Sequence, residues 1–222
     1  MRIVEIFQDP SQFQAYCAEV DRERALGFVP TMGALHPGHL SLVAASRRRD
    51  AVTAASIFVN PTQFGPAEDF DRYPRTLARD CELLEAAGVA AVFAPAAAAM
   101  YLPGEATRIE VAGLEQRLDG GSRPGHFRGV ATVVLKLLQL AAPTRVYFGQ
   151  KDAAQVAVIR RLVRDLFLPV EVVVCPIVRE PDGVALSSRN ALLDADGRAA
   201  ARALPRALQQ MGERFAAGER AS

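Results

Sequence analysis

The chain has 222 residues, half of them hydrophobic, a length that suits one large domain or one domain plus a fragment of a second. Its net charge of +1 gives no general drive towards nucleic acid or membrane surfaces. Cys17, Cys81 and Cys175 lie far apart, without metal-ligand spacing or a disulfide framework. The sequence contains no run of membrane-spanning length and no signal-peptide stretch, so we expect a cytoplasmic protein.

Strand and helix patterns alternate along the chain. The predicted strands cover residues 26–29, 51–59, 89–93, 146–148 and 170–175, and the predicted helices cover residues 39–49, 76–87, 130–141 and 152–166. The helix at 130–141 is apolar almost all round, which predicts a buried or interface helix. This order predicts an α/β fold with a parallel, doubly wound sheet. The residue pattern changes near residue 187, and an Ala- and Arg-rich helical segment begins at Asp194.

Four polar clusters follow predicted strands. They are residues 30–39 (PTMGALHPGH), residues 60–63 (NPTQ), residues 149–155 (GQKDAAQ), and Val178 together with residues 186–190 (LSSRN). In open parallel sheets, ligands bind beyond the carboxyl ends of the strands. We therefore expect the four clusters to converge on one edge of the sheet.

The first cluster holds two of the chain's three histidines, His36 and His39, three residues apart. Pro37 suits the first turn of a helix, and Gly33 and Gly38 let backbone approach a ligand closely. A helix N-terminus attracts anions, and two imidazoles there could donate hydrogen bonds to phosphate oxygens. A metal site fits this spacing less well, since helical zinc pairs are commonly four residues apart. A chance pair in a turn is the third interpretation.

The other clusters add further phosphate-binding candidates. Lys151, one of only two lysines in the chain, could meet a phosphate as a point charge. Asp152 beside it fits a helix cap as well as a ribose contact. Ser187, Ser188 and Arg189 could hold a leaving polyphosphate, or could be a helix cap followed by a surface arginine.

Asn60 and Gln63 are neutral amides at a strand end, which suits a hydroxylated small molecule that bears a carboxylate. The Gly-rich basic loop at residues 120–128 is interpreted as a mobile site wall or an interface element. No arrangement typical of a serine or cysteine nucleophile is visible. The chemistry is therefore expected to join bound substrates directly, through positioning and electrostatics.

Six segments in order, PTMGALHPGH, SIFVNPTQF, YPRTLARDCELL, SRPGHFRGVATVV, FGQKDAAQ and ALSSRN, closely resemble the pantothenate synthetase family. The resemblance runs from about Val4 to the end of the chain. It implies a Rossmann-like domain of a ligase that joins (R)-pantoate and β-alanine with ATP, through a pantoyl adenylate. Pyrophosphate and AMP would be the products released beside pantothenate.

The resemblance also implies residue roles. His39 would donate a proton to the leaving phosphate, with His36 beside it and Lys151 on a phosphate. Gln63 and Gln155 would hold pantoate, with Gln63 also near β-alanine, and Asn60 is the third residue expected to bind these substrates. The implied ATP site comprises Met32, Gly33, Ala34, Leu35, His36, Pro37, Gly38, His39, Gly149, Gln150, Lys151, Asp152, Val178, Leu186, Ser187, Ser188 and Arg189.

Magnesium would accompany ATP, and Asp80 is a candidate ligand for it. The family is typically homodimeric, and the apolar helix after Arg128 is the candidate interface. The chain departs from the family pattern at five positions, Pro37, Arg79, Asp119, Ala153 and Ala154. These departures change the loop packing and metal binding that we expect, but not the reaction.

Length is the larger departure. The resemblance divides the chain into a domain at residues 1–185, which binds ATP and pantoate, and the start of a lid-like domain at residues 186–222. We expect a truncated or a naturally short protein. Lids exclude water from reactive intermediates, so we expect some adenylate to be lost to hydrolysis.

Two other functions stay open from the sequence. One is another nucleotidyltransferase of the same superfamily that acts on a phosphorylated substrate. Such an enzyme would need more cationic residues where Asn60, Gln63 and Gln155 stand. The other is a catalytically weak module for ATP binding or dimerisation.

Overall fold

A computed structural model describes residues 4–20, 25–66, 68–114 and 119–219. Within these ranges the core is a six-stranded sheet in the order β1-β4-β3-β2-β5-β6, with every pair parallel. The predicted parallel, doubly wound α/β fold is confirmed. The strands are β1 (Glu5–Phe7), β2 (Leu26–Thr31), β3 (Val52–Ile57), β4 (Ala91–Phe93), β5 (Arg145–Gly149) and β6 (Glu171–Cys175).

Helices connect the strands, and short 3-10 turns begin at Pro61, Gln150 and Ser188. The helices are α1 (Pro10–Glu19), α2 (Pro37–Arg49), α3 (Leu77–Ala86), α4 (Ala97–Met100), α5 (Asp119–Ser122), α6 (His126–Ala141), α7 (Ala153–Asp165), α8 (Ala195–Ala201) and α9 (Ala203–Ala216). The sequence patterns identified neither β1 nor α1. β1 is only three residues long and mostly exposed, so it gives no periodic signal.

Two apolar layers lie on opposite faces of the sheet. On one face α1, α6 and α7 pack on the strands, and Phe13 stacks on Phe93 with ring centroids 4.7 Å apart. On the other face α2 and α3 bury Val43 and Leu84 completely. Helix α6 also packs on α7 away from the sheet, through a cluster that includes Phe127. Burial within the chain therefore explains why α6 is apolar almost all round.

The sheet reverses its direction of winding at β2. From β2 the chain adds β3 and β4 on one side, and it then crosses over to add β5 and β6 on the other. A crevice opens at the carboxyl ends of β2 and β5 because their onward connections leave in opposite directions. The clusters that follow Thr31 and Gly149 border this crevice.

Gly129 lets the start of α6 lie directly against the turn at residues 61–63. A Cβ at this position would lie 2.3 Å from the backbone oxygen of Thr62, which is far too close. We expect Gly129→Ala to lower the free energy of unfolding by about 2–3 kcal/mol, the cost of overpacking a tight contact. Gly212→Ala is the matched control, because a Cβ there meets nothing within 4 Å. Urea titration of both variants checks this, and equal stabilities would contradict it.

Residues after β6 return towards the crevice and then continue into α8 and α9. Arg198 in α8 forms ion pairs with Glu180 and Asp182, both at 2.7 Å. The division of the chain near residue 186 stays a prediction. In the described part of the chain, no helix has the length and hydropathy needed to cross a membrane.

Candidate active site

The crevice holds a cavity to which all four predicted clusters contribute. It is lined by Met32, His36, Gly38, His39, Leu42, Gln63, Tyr73, Arg123, His126, Gly149, Lys151, Asp152, Gln155, Pro176, Ile177, Leu186, Ser187, Ser188 and Arg189. An adjoining, more apolar part adds Asn60 and the α6 residues Val130, Val133 and Val134. The expected convergence on one sheet edge is confirmed.

Six residues of the implied ATP site do not line this cavity. They are Gly33, Ala34, Leu35, Pro37, Gln150 and Val178. Ala34 and Leu35 face Asp80 through their backbone, and Val178 accepts a backbone hydrogen bond from Leu186 at 3.0 Å. These residues shape the walls of the cavity without lining it.

The two histidines cap the start of α2, with ring centroids 4.1 Å apart. His36 Nδ1 accepts from the backbone N–H of Gly38 at 3.1 Å, and His39 Nδ1 accepts from the N–H of His36 at 3.4 Å. Because both Nδ1 atoms accept, the neutral rings carry their hydrogens on Nε2. Pro37 occupies the first turn, as predicted. The histidine pair therefore offers two N–H donors besides its capping role.

Both rings favour the neutral form. The pKa of His39 is lowered to about 3, mainly by burial and then by electrostatic interaction with His36 and Lys151. Burial and then Lys151 lower the pKa of His36, while Asp152 and Glu180 oppose that shift. Desolvation and nearby positive charge both disfavour imidazolium. Such an environment suits an incoming anion, because the Lys151 ammonium attracts negative charge and the neutral rings can donate Nε2–H bonds to it.

We expect His39 to make stability depend on pH in one direction. An unfolded imidazole titrates near 6.5 and the folded ring near 3, so the unfolded state binds the proton first as the pH falls. The free energy of unfolding should therefore decrease as pH falls from about 6.5 towards 3, with no effect above that window. Urea unfolding of the wild type and His39→Gln checks this. The stability difference between them should change with pH below 6.5, and a constant difference would contradict the prediction.

Asp80 organises the loop that precedes the histidines. Its carboxylate is almost fully buried and accepts the N–H groups of Ala34 at 2.9 Å and Leu35 at 2.8 Å, and the hydroxyl of Thr76 at 3.1 Å. Gly33 and Ala34 both adopt positive φ, at 80° and 50°. A carboxylate occupied by these donors does not support the interpretation of Asp80 as a magnesium ligand. It holds a strained backbone instead.

Lys151 and Asp152 pair with each other at 3.0 Å on the cavity wall. The side chain of Asp152 makes no capping bond to α7, although it precedes that helix. Asp152 therefore takes the predicted N-cap position of α7 without a side-chain cap, and its contact with a ribose stays a prediction. Both side chains remain partly exposed to the cavity and can meet a ligand.

Arg189 crosses the cavity to the segment at residues 68–73. Its guanidinium donates to both carboxylate oxygens of Asp69, at 2.7 and 2.9 Å, and lies 5.4 Å from the ring centre of Tyr73. Ser187 accepts from the N–H of Arg189, so the cap that the sequence suggested is present as well. Ser188 donates to the carbonyl of Ala34 at 3.1 Å. The arginine is therefore an oriented cation at the cavity and not a free surface residue.

The Gly-rich basic loop contributes Arg123 and His126 to another wall of the cavity, and its role as an interface element stays a prediction. Arg123 pairs with Glu68, and its Nη1 lies 3.0 Å from His126 Nε2. Because guanidinium can only donate, Nε2 accepts and Nδ1–H donates to the carbonyl of Gln63 at 2.8 Å. Arg123, His126 and Tyr73 were not singled out from the sequence as site residues. The position of Arg123 and His126 in the basic loop was the only signal.

A family model described as pantoate-beta-alanine ligase matches residues 5–222 of this chain. The chain belongs to the pantoate–β-alanine ligase family. The ligase class predicted from the six segments is confirmed at the level of this family.

Known members of the ligase family are similar in sequence and structure. A pantothenate synthetase from Acidobacterium capsulatum is 62% identical over 197 residues, which cover 89% of this chain and 66% of that protein. The chain thus spans just under two thirds of that relative. A pantothenate synthetase structure from Thermus thermophilus has a TM-score of 0.92 at 50% identity, covering 97% of this chain and 77% of that one.

A third relative carries ligands. The structure of the Francisella tularensis pantoate-beta-alanine ligase, complexed with beta-gamma ATP and β-alanine, has a TM-score of 0.87 at 40% identity. It covers 93% of this chain and 79% of its own. Among the residues described in the present chain, no group of three or more His, Cys, Asp or Glu side chains is placed to hold a metal ion.

Proposed function

We propose that this chain condenses (R)-pantoate with β-alanine at the expense of ATP, giving pantothenate, AMP and pyrophosphate. One observation carries the proposal: phosphate-type donors and neutral amides line a single cavity. His36, His39 and Lys151 supply the donors, and Gln63 and Gln155 supply the amides. A phosphorylated second substrate would instead require cations where the amides stand.

In the first step, a carboxylate oxygen of pantoate attacks the α-phosphorus of ATP. A new P–O bond forms while the bond to the β-phosphate oxygen breaks, and pyrophosphate leaves. His39 Nε2–H and Lys151 would stabilise the charge that builds on the phosphate oxygens. Arg189, already oriented by Asp69, would bind the departing pyrophosphate.

In the second step, the amine of β-alanine attacks the acyl carbon of the adenylate. A C–N bond forms, the C–O bond to AMP breaks, and one proton is released. The chain needs no nucleophile of its own, since both new bonds join substrate atoms. The apolar part of the cavity, with Val130, Val133 and Val134, suits the dimethyl carbon of pantoate. Gln63 lines both parts of the cavity, so we expect it to contact both pantoate and β-alanine.

Magnesium fits the donor set of ATP better than that of the protein. The polar side chains that line the cavity are mostly N–H donors, which are not ligands for magnesium; the lining carboxylate, Asp152, is paired with Lys151, and Asp80 is occupied by backbone N–H groups. We propose that the ion enters on the phosphate oxygens of ATP, and we assign it no protein ligand.

We also propose that the chain is cytoplasmic and forms a homodimer. The support for the dimer is an exposed apolar groove beside α6, lined in part by Leu102, Leu135 and Leu140, with Leu102 65% exposed. The candidate interface is thus the outer edge of α6, because the rest of that helix is buried within the chain. Sedimentation equilibrium tests this, and a monomer at micromolar concentration would contradict it.

The function is tested by following AMP in mixtures of ATP, pantoate and β-alanine. We expect AMP only when pantoate is present, and pantothenate only when β-alanine is added. AMP formation that needs neither acid nor amine would refute the proposal. The ratio of AMP to pantothenate measures the expected loss of adenylate to water, and a one-to-one ratio at full speed would contradict that loss.

A further inference from the structure

Lys136, the second of the chain's two lysines, lies outside the cavity and plays no part in the proposed reaction. Its Nζ donates to the carbonyl of Met100 at 2.5 Å and to the carboxylate of Glu105 at 2.6 Å. It also lies 4.5 Å from the ring centre of Tyr101. These contacts hold the Tyr101 ring in place. Its hydroxyl donates to Asn60 Oδ1 at 2.7 Å.

The amide of Asn60 is buried, with 1% of the residue exposed, and its surroundings fix which end is oxygen. On one side Oδ1 accepts from the backbone N–H of Thr62 at 3.3 Å and from the Thr62 hydroxyl at 3.0 Å, in addition to the Tyr101 hydroxyl, whose bond is the shortest of the three. On the other side Nδ2 donates to the backbone oxygen of Gly129 at 3.3 Å. A backbone N–H can only donate and a carbonyl can only accept, so a flipped amide would lose bonds on both sides.

The orientation of Asn60 determines that of Gln63. Asn60 Nδ2 donates to Gln63 Oε1 at 3.1 Å, which turns Gln63 Nε2 towards the cavity. There Nε2 lies 3.1 Å from the sulfur of Met32, a weak acceptor. Among the described residues, no stronger acceptor lies within hydrogen-bond distance of Nε2. Gln63 is therefore presented to a ligand as a hydrogen-bond donor.

We infer that Tyr101, braced by Lys136, is a positioning residue: its bond holds the Asn60 amide, whose backbone partners set which end is oxygen, and so keeps Gln63 where it donates to an oxygen of the hydroxy-acid substrate. The inference rests on the proposed function and deepens it. Tyr101 lies beyond the amides that face the cavity, and its influence on binding passes through two side-chain amides in series. A site built in this way selects an acid that offers an oxygen lone pair to Gln63.

Tyr101→Phe removes one hydroxyl and keeps the ring. We expect the KM for pantoate to rise about five- to tenfold, while the KM for ATP changes less than twofold and the melting temperature stays close to that of the wild type. Tyr16→Phe makes the same chemical change on α1, where the ring packs on Phe7, and should leave both KM values unchanged. An equal rise in both KM values for Tyr101→Phe would overturn the inference.

A double-mutant cycle separates positioning from general damage. In a Gln63→Ala background, Tyr101→Phe should change the KM for pantoate less than twofold, because the residue through which it acts is gone. An unchanged five- to tenfold effect in that background would show that Tyr101 acts by another route, and the inference would fail.

A measurement without turnover distinguishes this inference from the proposed function. In the free protein, the side-chain NH2 signals of Asn60 and Gln63 should shift in Tyr101→Phe and not in Tyr16→Phe. Unchanged signals would overturn the relay whatever the reaction is. If the wild type makes no pantoate-dependent AMP, the proposed function fails. Shifted signals would then still support the orientation of Gln63.

Discussion

Replacing His39 with alanine is expected to lower the kcat for adenylate formation about 100- to 1,000-fold, the usual cost of losing one preorganised donor to a developing charge. His39 presents Nε2–H to the cavity because its Nδ1 is occupied by the backbone N–H of His36. The charge on the phosphate oxygens grows only as pyrophosphate leaves. The KM for ATP should therefore change less than about threefold. Rapid-quench measurement of AMP and pyrophosphate checks this.

His36→Asn is the informative companion to His39→Ala. An asparagine at the N-cap can still accept from the N–H of Gly38, so helix α2 keeps its cap while the imidazole is lost. This variant should fold with near wild-type stability and still lose activity. The loss of activity would then come from the missing imidazole and not from a missing helix cap. If His39→Ala weakened ATP binding by the same factor as kcat, His39 would be a ground-state binding residue instead.

The sequence was informative wherever local rules decide the structure. Apolar runs predicted the strands β2 to β6 within two residues of their bounds. The proline at position 37 correctly indicated the first turn of α2. Convergence of the clusters after β2 and β5 followed from one topological rule about parallel sheets. Such features depend on a few neighbouring residues and on sheet topology.

Features that depend on distant pairs were not predictable. Nothing near Asp80 in the sequence shows that it faces the backbone of Ala34 and Leu35, which lie more than 40 positions earlier. Arg123 and Glu68 likewise meet across 55 positions. An acidic residue in a helix looks the same whether it holds a loop, binds a metal or faces water. Only the packing of α3 against the loop decides among these.

Asp80→Asn is expected to lower the free energy of unfolding by about 2–4 kcal/mol and to reduce adenylate formation at least tenfold. Both carboxylate oxygens accept backbone N–H groups in a buried place. An asparagine can offer an oxygen to only one of them, and its NH2 would then oppose the other, which leaves a buried donor unsatisfied. The loop would lose the contact that holds Gly33 and Ala34 at positive φ. The histidines that follow would be displaced from the phosphate.

Two controls separate this effect from a general loss of charge. Thr76→Val removes only the hydroxyl that donates to Asp80 and should cost about 1 kcal/mol, with activity largely kept. Asp165→Asn removes an exposed carboxylate at the end of α7 and should change the free energy of unfolding by less than about 0.5 kcal/mol. Urea titration and the AMP assay are run on all three variants. If Asp80→Asn matched Asp165→Asn in both measurements, the loop would hold its conformation without Asp80. The strained backbone at residues 33–34 would then need another source of support, which the hydrogen bond from Ser188 to the carbonyl of Ala34 is placed to supply.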